Sequence, residues 1–154
     1  MASGITNKGK YKMLGWVFRA ETIPTNFYIA LATSAATPDA DTNTLGQLTE
    51  IADTNGYTTG GYQLTRNSTD FPDWTETDAS DLATLLLKDI VWTASGGPIP
   101  ASGNGARWAV LTDDNVTVGS REIYAWYDLV SDRTVSNGQT LTLADITLKF
   151  TAPA

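Results

Sequence analysis

The sequence predicts a mainly β protein, a β-sandwich or jelly-roll-like domain preceded by one N-terminal helix or arm. Three observations carry this. Short runs alternate apolar and polar residues with a period of two, which places one set of side chains on each face of a strand. Turn dipeptides, Asn55-Gly56, Gly60-Gly61 and Asn137-Gly138, separate those runs. The chain also holds 24 threonines, mostly in or beside the same runs, where a β-branch favours the pleat and a hydroxyl keeps the surface wettable. At 154 residues there is enough chain for one domain with a real core. The expected division is a basic helix or arm over 1–22 and a single β-rich domain over 23–154.

Helical spacing runs from Ile5 to Ala20, with Thr6 as N-cap and Tyr11, Leu14, Gly15 and Phe18 on one face beside Val17. Gly9 and Gly15 each cost about 1 kcal/mol relative to alanine, so this helix needs something packed against it. Pro24 bars its extension. Asn26 to Thr33 then alternates Phe27, Ile29 and Leu31 as a buried strand face. Ser34 to Thr44 is polar and proline-broken, and Leu45 to Ala52 fits either a helical turn or a short strand. Gly61 to Thr65 is a strand, and Asp70 to Asp81 is a connection whose Phe71 and Trp74 are expected to pin it to the sheet.

The centre of the expected fold is Leu82 to Leu111. Leu82 to Thr93 reads as one central strand, apolar on both faces, opposed by a second strand from Ala106 to Leu111. Ser95 to Gly105 between them, rich in glycine and proline, must be a long surface loop, and loops of that length are often functional. Arg121 to Val130 and Gln139 to Phe150 supply the remaining strands. Six to nine strands with turn signals between them give the sandwich or jelly roll.

Composition removes many functions. There is no histidine and no cysteine, so Ser-His-Asp, Cys-His and most zinc sites are excluded, and no disulfide can form. The net charge of −7 argues against nucleic acid as a partner. No run approaches the roughly 18 apolar residues of a membrane span, and the N-terminus lacks the apolar core of a signal peptide. Charge is unevenly placed: Lys8, Lys10, Lys12 and Arg19 all precede the first acid, Glu21, so a +4 segment fronts a body of net −11. Such a segment docks on an acidic partner, folds back on its own body, or is a solvated face.

Weaker patterns resolve toward structure. Asp39-x-Asp41-x-Asn43 with Glu50 twelfth mimics a calcium loop, but Thr44 stands where glycine is required, so a polar loop with capping acids is the expected reading. Paired carboxylates for glycoside hydrolysis are conceivable, yet Asp113 and Asp114 sit where turns want them. No enzyme activity, cofactor or metal is expected. The five tryptophans are expected mostly in core or subunit interface, with a sugar-stacking platform as the alternative.

Several stretches resemble a group of small tailed-bacteriophage virion structural proteins. They are Gly4-Ile5-Thr6-Asn7-Lys8-Gly9-Lys10-Tyr11, the runs from Asn26 to Ala35 and from Ala40 to Gly46, Asn55-Gly56-Tyr57-Thr58-Thr59-Gly60-Gly61-Tyr62, the run from Val91 to Pro100, and Ser136-Asn137-Gly138-Gln139-Thr140-Leu141. Members of that group are described as structural, capsid-decorating or tail-fibre proteins, so the resemblance implies a virion component, assembled in the host bacterial cytoplasm. It carries over no catalytic or ligand residue. The leading expectation is a capsid decoration or cement protein, a homo-oligomer with a trimer favoured, that stabilises the shell by contacts with the major capsid protein or other virion subunits. The alternative is a tail or head-fibre component touching host surface glycans through aromatics near Trp74 or in the long loop. Expected contact residues are Lys8, Lys10, Tyr11, Lys12, Leu14, Val17, Phe18 and Arg19, together with Pro98, Ile99 and Pro100 of the loop.

Overall fold

The alternating runs pair into antiparallel sheets and leave one helix near the N-terminus, a mainly β, sandwich-like arrangement, in the computed structural model, which describes residues 3–151. The largest sheet has five strands, in the order β1 (Ser3–Ile5), β8 (Ile123–Arg133), β7 (Ala106–Thr112), β2 (Asn26–Ala32) and β3 (Tyr62–Thr65). A three-stranded sheet is formed by β10 (Thr147–Thr151), β5 (Leu82–Leu86) and β4 (Asp73–Thr77), and a two-stranded one by β6 (Ile90–Thr93) and β9 (Thr140–Leu143). The helix α1 spans Asn7–Phe18.

The main core lies between the five-stranded sheet and the two smaller ones. Ile29, Leu31, Ala109, Leu111, Ala125 and Tyr127 face Leu87, Ile90, Trp92, Leu141, Leu143, Ile146 and Leu148. The other side of the large sheet is covered separately: Ala30, Val110 and Ile123 pack with Leu45. The pairing of β7 with β8 is irregular at two points, between Ala106 and Trp108 and between Leu111 and Thr112. Leu111 pairs with Ala125 but Thr112 pairs with Ile123, so Tyr124 is an extra residue in β8. A bulge of this kind redirects side chains, and Tyr124 and Ala125, although adjacent, both enter the main core.

The structure departs from the sequence reading in five places. Leu82 to Thr93 is not one strand but β5 and β6, in different sheets. The break falls at Leu87-Lys88-Asp89, where Leu87 N–H donates to Ile146, Lys88 N–H donates to the Asp70 carbonyl, and the Lys88 ammonium turns to the Asp70 carboxylate 2.6 Å away. The strand over Ala106 to Thr112 accordingly lies between β2 and β8, not opposite Leu82 to Thr93. The connection from Asp70 to Asp81 contains β4, and while Phe71 packs on the core, Trp74 is not pinned at all. Ser3–Ile5, ahead of the helix, is an edge strand on β8. The loop from Ser95 to Gly105 is irregular as expected, with positive φ at Gly96 and Gly103, but it is tied down. Ile99 exchanges two backbone hydrogen bonds with Val135, and Asn55 Nδ2 donates to the Pro98 carbonyl at 2.9 Å.

Asp70 joins the two layers. One carboxylate oxygen accepts from Thr65 N–H, at the end of β3, at 2.7 Å, and the other holds Lys88 at the start of the β5–β6 break. The Lys88 hydrogen bond, opposed by partial burial and aided by Thr65, holds the Asp70 carboxyl below its ordinary range. A group shifted down contributes stability that is complete above its unfolded pKa, about 4, and is lost as pH falls through the folded value. Asp70→Asn is therefore expected to lower unfolding free energy by about 1–2 kcal/mol at neutral pH. In urea titrations the gap between wild type and variant should close as pH drops below about 4; a gap that is constant with pH would refute the assignment.

Candidate interaction surface and apolar cleft

Helix α1 is fixed by its first turn. Thr6, fully buried, accepts from Gly9 N–H at 2.8 Å, donates its hydroxyl to the Ile123 carbonyl, and donates its N–H to the Tyr124 carbonyl at 3.0 Å. Asn7 N–H, one of the donors a helix leaves unpaired at its start, reaches the Ala40 carbonyl at 2.7 Å. Gly9 lies directly on β8: a Cβ there would stand 2.3 Å from the Tyr124 carbonyl oxygen. With Gly9 facing the sheet, Met13 and Trp16, one and two turns on, also face inward; both are half-buried against the core.

The opposite face carries the expected contact residues. Tyr11, Leu14, Val17 and Phe18 are between 59% and 74% exposed, an apolar ridge on a held helix. The four basic residues divide. Lys8 pairs with Glu122 at 3.4 Å, and Lys12 with Glu21 at 3.3 Å and Glu122 at 3.5 Å. Burial alone would lower the Lys12 pKa, but Glu122 and Glu21 outweigh it and hold the ammonium above its ordinary range. Lys10 and Arg19 are exposed and make no ion pair with the described residues. The basic segment thus folds back onto its own acids with two charges and presents two. Of the loop residues, Pro98 is exposed, whereas Ile99 and Pro100 are buried inside the fold and present no surface.

Beneath the helix lies an open apolar cleft of about 410 Å³. Met13 and Trp16 form one wall, Phe27, Leu111 and Tyr124 the floor, and Phe71, Leu85 and Leu148 the other wall. The aromatic rings meet edge to face, Trp16 with Tyr124 at 5.4 Å and Phe27 with Phe71 at 6.0 Å, a preferred arrangement for ring pairs. The bulge at Tyr124 is what puts that ring into the floor.

One surface element was not legible in the sequence. Trp74 of β4 pairs with Leu85 of β5, which pairs with Leu148 of β10. Cross-strand partners share a face, so Trp74 lies on the same face as two residues lining the cleft. It is nevertheless 84% exposed, because β4 is the edge strand of its sheet and is exposed at every residue, an overhang at the rim of the three-stranded sheet. Phe150 shares that face one row further on, through Ala83 and Glu76, and is 45% exposed. Asp73, Glu76, Asp78 and Asp81, all exposed, surround the overhang. The acidic, aromatic run was visible in sequence, but the register that aligns Trp74 with Leu85 is a tertiary fact.

The calcium-like spacing takes another form. Asp39 Oδ1 accepts from Asp41 N–H and the Thr42 hydroxyl, while Glu50 turns elsewhere, accepting at 2.6 Å from both the Tyr57 hydroxyl and Gly60 N–H. Burial pushes the Glu50 carboxyl up against those two hydrogen bonds. Among the described residues no three His, Cys, Asp or Glu side chains converge as a metal site would require. Of the tryptophans, Trp92 and Trp108 are buried, Trp16 and Trp126 half-buried, and Trp74 exposed. The chemistry this surface offers is contact: apolar area bordered by charge.

No protein-family model, curated protein or solved structure matches the chain.

The docking of α1 can be tested with two glycines. In an isolated helix alanine would gain about 1 kcal/mol over glycine. At Gly9 the clash is with backbone, so Gly9→Ala is expected to cost about 1–3 kcal/mol net. At Gly15 the nearest atoms belong to the Glu21 carboxylate, 2.8 Å away on a side chain that can move, so Gly15→Ala is expected near neutral. Thermal denaturation of both variants decides it; equal effects would show that Gly9 is not the point of closest approach.

Proposed function

We propose that this chain is a bacteriophage virion structural protein, a capsid decoration or cement protein that acts as a homo-oligomer, a trimer being favoured, and stabilises the assembled shell through protein–protein contacts. Its partners in this reading are the major capsid protein or other virion subunits, and it joins the particle after synthesis in the bacterial cytoplasm. The observation that supports a contact role is the α1 ridge: Tyr11, Leu14, Val17 and Phe18 exposed on a helix whose other face is immobilised, flanked by the free charges of Lys10 and Arg19. Monomeric proteins rarely leave contiguous apolar area uncovered, and such patches mark interaction sites. The mechanism is linkage: a protein that binds only the assembled lattice stabilises it by RT ln(1 + [L]/Kd). No covalent bond is made or broken in this role.

A second reading has an observation of its own. Trp74, exposed on the strand face it shares with Glu76, has the chemistry of a sugar platform, apolar ring face beside a hydrogen-bond acceptor. As a tail or head-fibre component the protein would use it to touch host surface glycans.

Removing residues 1–20 would also remove β1 and the Thr6 anchor, so point changes on the ridge are the better test. Leu14→Asp with Phe18→Asp is expected to leave the fold intact by circular dichroism and to abolish retention on purified particles; retention equal to wild type would overturn the decoration role. For the second reading, Trp74→Ala should abolish binding on a glycan array and any fluorescence change with host polysaccharide, and an array without hits would eliminate it.

A further inference from the structure

The α1 ridge and the β4 overhang are both apolar, both uncovered, and opposite in charge. The ridge is flanked by Lys10 and Arg19, neither of which pairs with a described residue; the overhang, Trp74 with Phe150, is flanked by Asp73, Glu76, Asp78 and Asp81, which also make no ion pair with described residues. Tyr11, Leu14 and Phe18 border a shallow groove whose rim carries Arg19 and Glu21, Glu21 being already engaged by Lys12. We infer that the two surfaces meet between copies, the Tyr11–Leu14–Phe18 ridge of one protomer seating against the Trp74–Phe150 face of the next, on the acidic side away from Arg66 at the rim of the cleft.

Charge argues for a second copy and for the polarity of the contact. A ridge-to-ridge dimer would oppose Lys10 and Arg19 to themselves, and an overhang-to-overhang dimer would oppose four acids to four acids. Like charges brought together across an interface are costly, whereas a positive patch on a negative one steers and orients association. The contact is therefore heterologous, head to tail. Contacts of that kind close into rings when the rotation permits and otherwise propagate as filaments. Burial of Trp74, Phe18 and Tyr11 would supply the central aromatic anchors that such interfaces use. The inference rests on the decoration role only in taking the ridge for a protein contact, and it is tested on the isolated protein, so its failure and a failure of particle retention are separate results.

The chain has no cysteine, which permits a direct test. Chains carrying Val17→Cys and chains of different length carrying Thr75→Cys, positions beside the anchors and both exposed, are mixed and treated with a short bis-maleimide, and circular dichroism checks that each variant folds. The mixed Val17→Cys/Thr75→Cys product is expected to dominate, and to fall several-fold at high salt or when Asp73→Lys and Glu76→Lys are added to the Thr75→Cys chain. Sedimentation should show wild-type oligomers reduced to monomers by Phe18→Asp and by Trp74→Ala separately. Like-with-like products in excess, a wild-type monomer at all concentrations, or oligomers indifferent to both substitutions would each overturn the head-to-tail contact.

Discussion

The apolar face that α1 exposes is set by one joint, the contact of the first turn of α1 with the bulge in β8. Thr6 uses its N–H, its hydroxyl hydrogen and its hydroxyl oxygen in three directions at once, to Tyr124, Ile123 and Gly9. Gly9 then brings the helix axis so close to the Tyr124 carbonyl that no larger residue fits. A twelve-residue helix with two glycines is marginal on its own. Its orientation is consequently dictated by the sheet, not by its own propensity. Once Gly9 is down, Met13 and Trp16 must go with it and Tyr11, Leu14 and Phe18 must face out.

The same joint creates the cleft. An unbroken register in β8 would turn Tyr124 to the opposite face from Ala125, as period two demands. The extra residue leaves both on the core side, and the Tyr124 ring becomes part of a floor shared with Phe27 and Leu111. Trp16 closes over it edge to face. The exposed apolar face of α1 and the cleft are thus two consequences of one piece of backbone geometry, on opposite sides of a single helix.

How much of this could be read from residues depends on what each signal encodes. The strand runs from Asn26 and in Arg121 to Val130, the Thr6 cap and the turns at Asn55-Gly56 and Asn137-Gly138 are local patterns, and the structure has all of them. The single strand expected over Leu82 to Thr93 failed because alternation continues through Lys88 and Asp89 without showing that Lys88 is drawn to Asp70. Glycines and prolines correctly marked 95–105 as irregular, but nothing local says that Val135 will pair with Ile99 and take it inside. Of the proposed contact residues, the helical ones were legible as a face, with only the tertiary fold deciding that the face points outward. Trp74 was expected to be pinned to the sheet, with glycan contact as the alternative, and its exposure was not legible because only the tertiary fold makes β4 an edge strand exposed at every residue.

Many of the polar groups are engaged within the fold. The most strongly placed polar groups already have partners within the chain: Glu50 with Tyr57 and Gly60, Asp70 with Lys88 and Thr65, Asp128 with Arg107 through two hydrogen bonds, and buried Arg121 with the Gly60 and Asn115 carbonyls and the Tyr28 ring 3.8 Å away. Groups satisfied in this way rigidify a fold and have little capacity left for a ligand. Among the described residues the buried Trp108 Nε1 and Tyr127 hydroxyl lack a partner, and apolar area on α1 and β4 lies exposed beside charges, positive on the helix and negative near β4. Apolar burial is non-directional and scales with area, while the flanking charges choose orientation. Exposed apolar area on α1 and β4, with charges of opposite sign beside it, is the feature on which the proposed contacts rest.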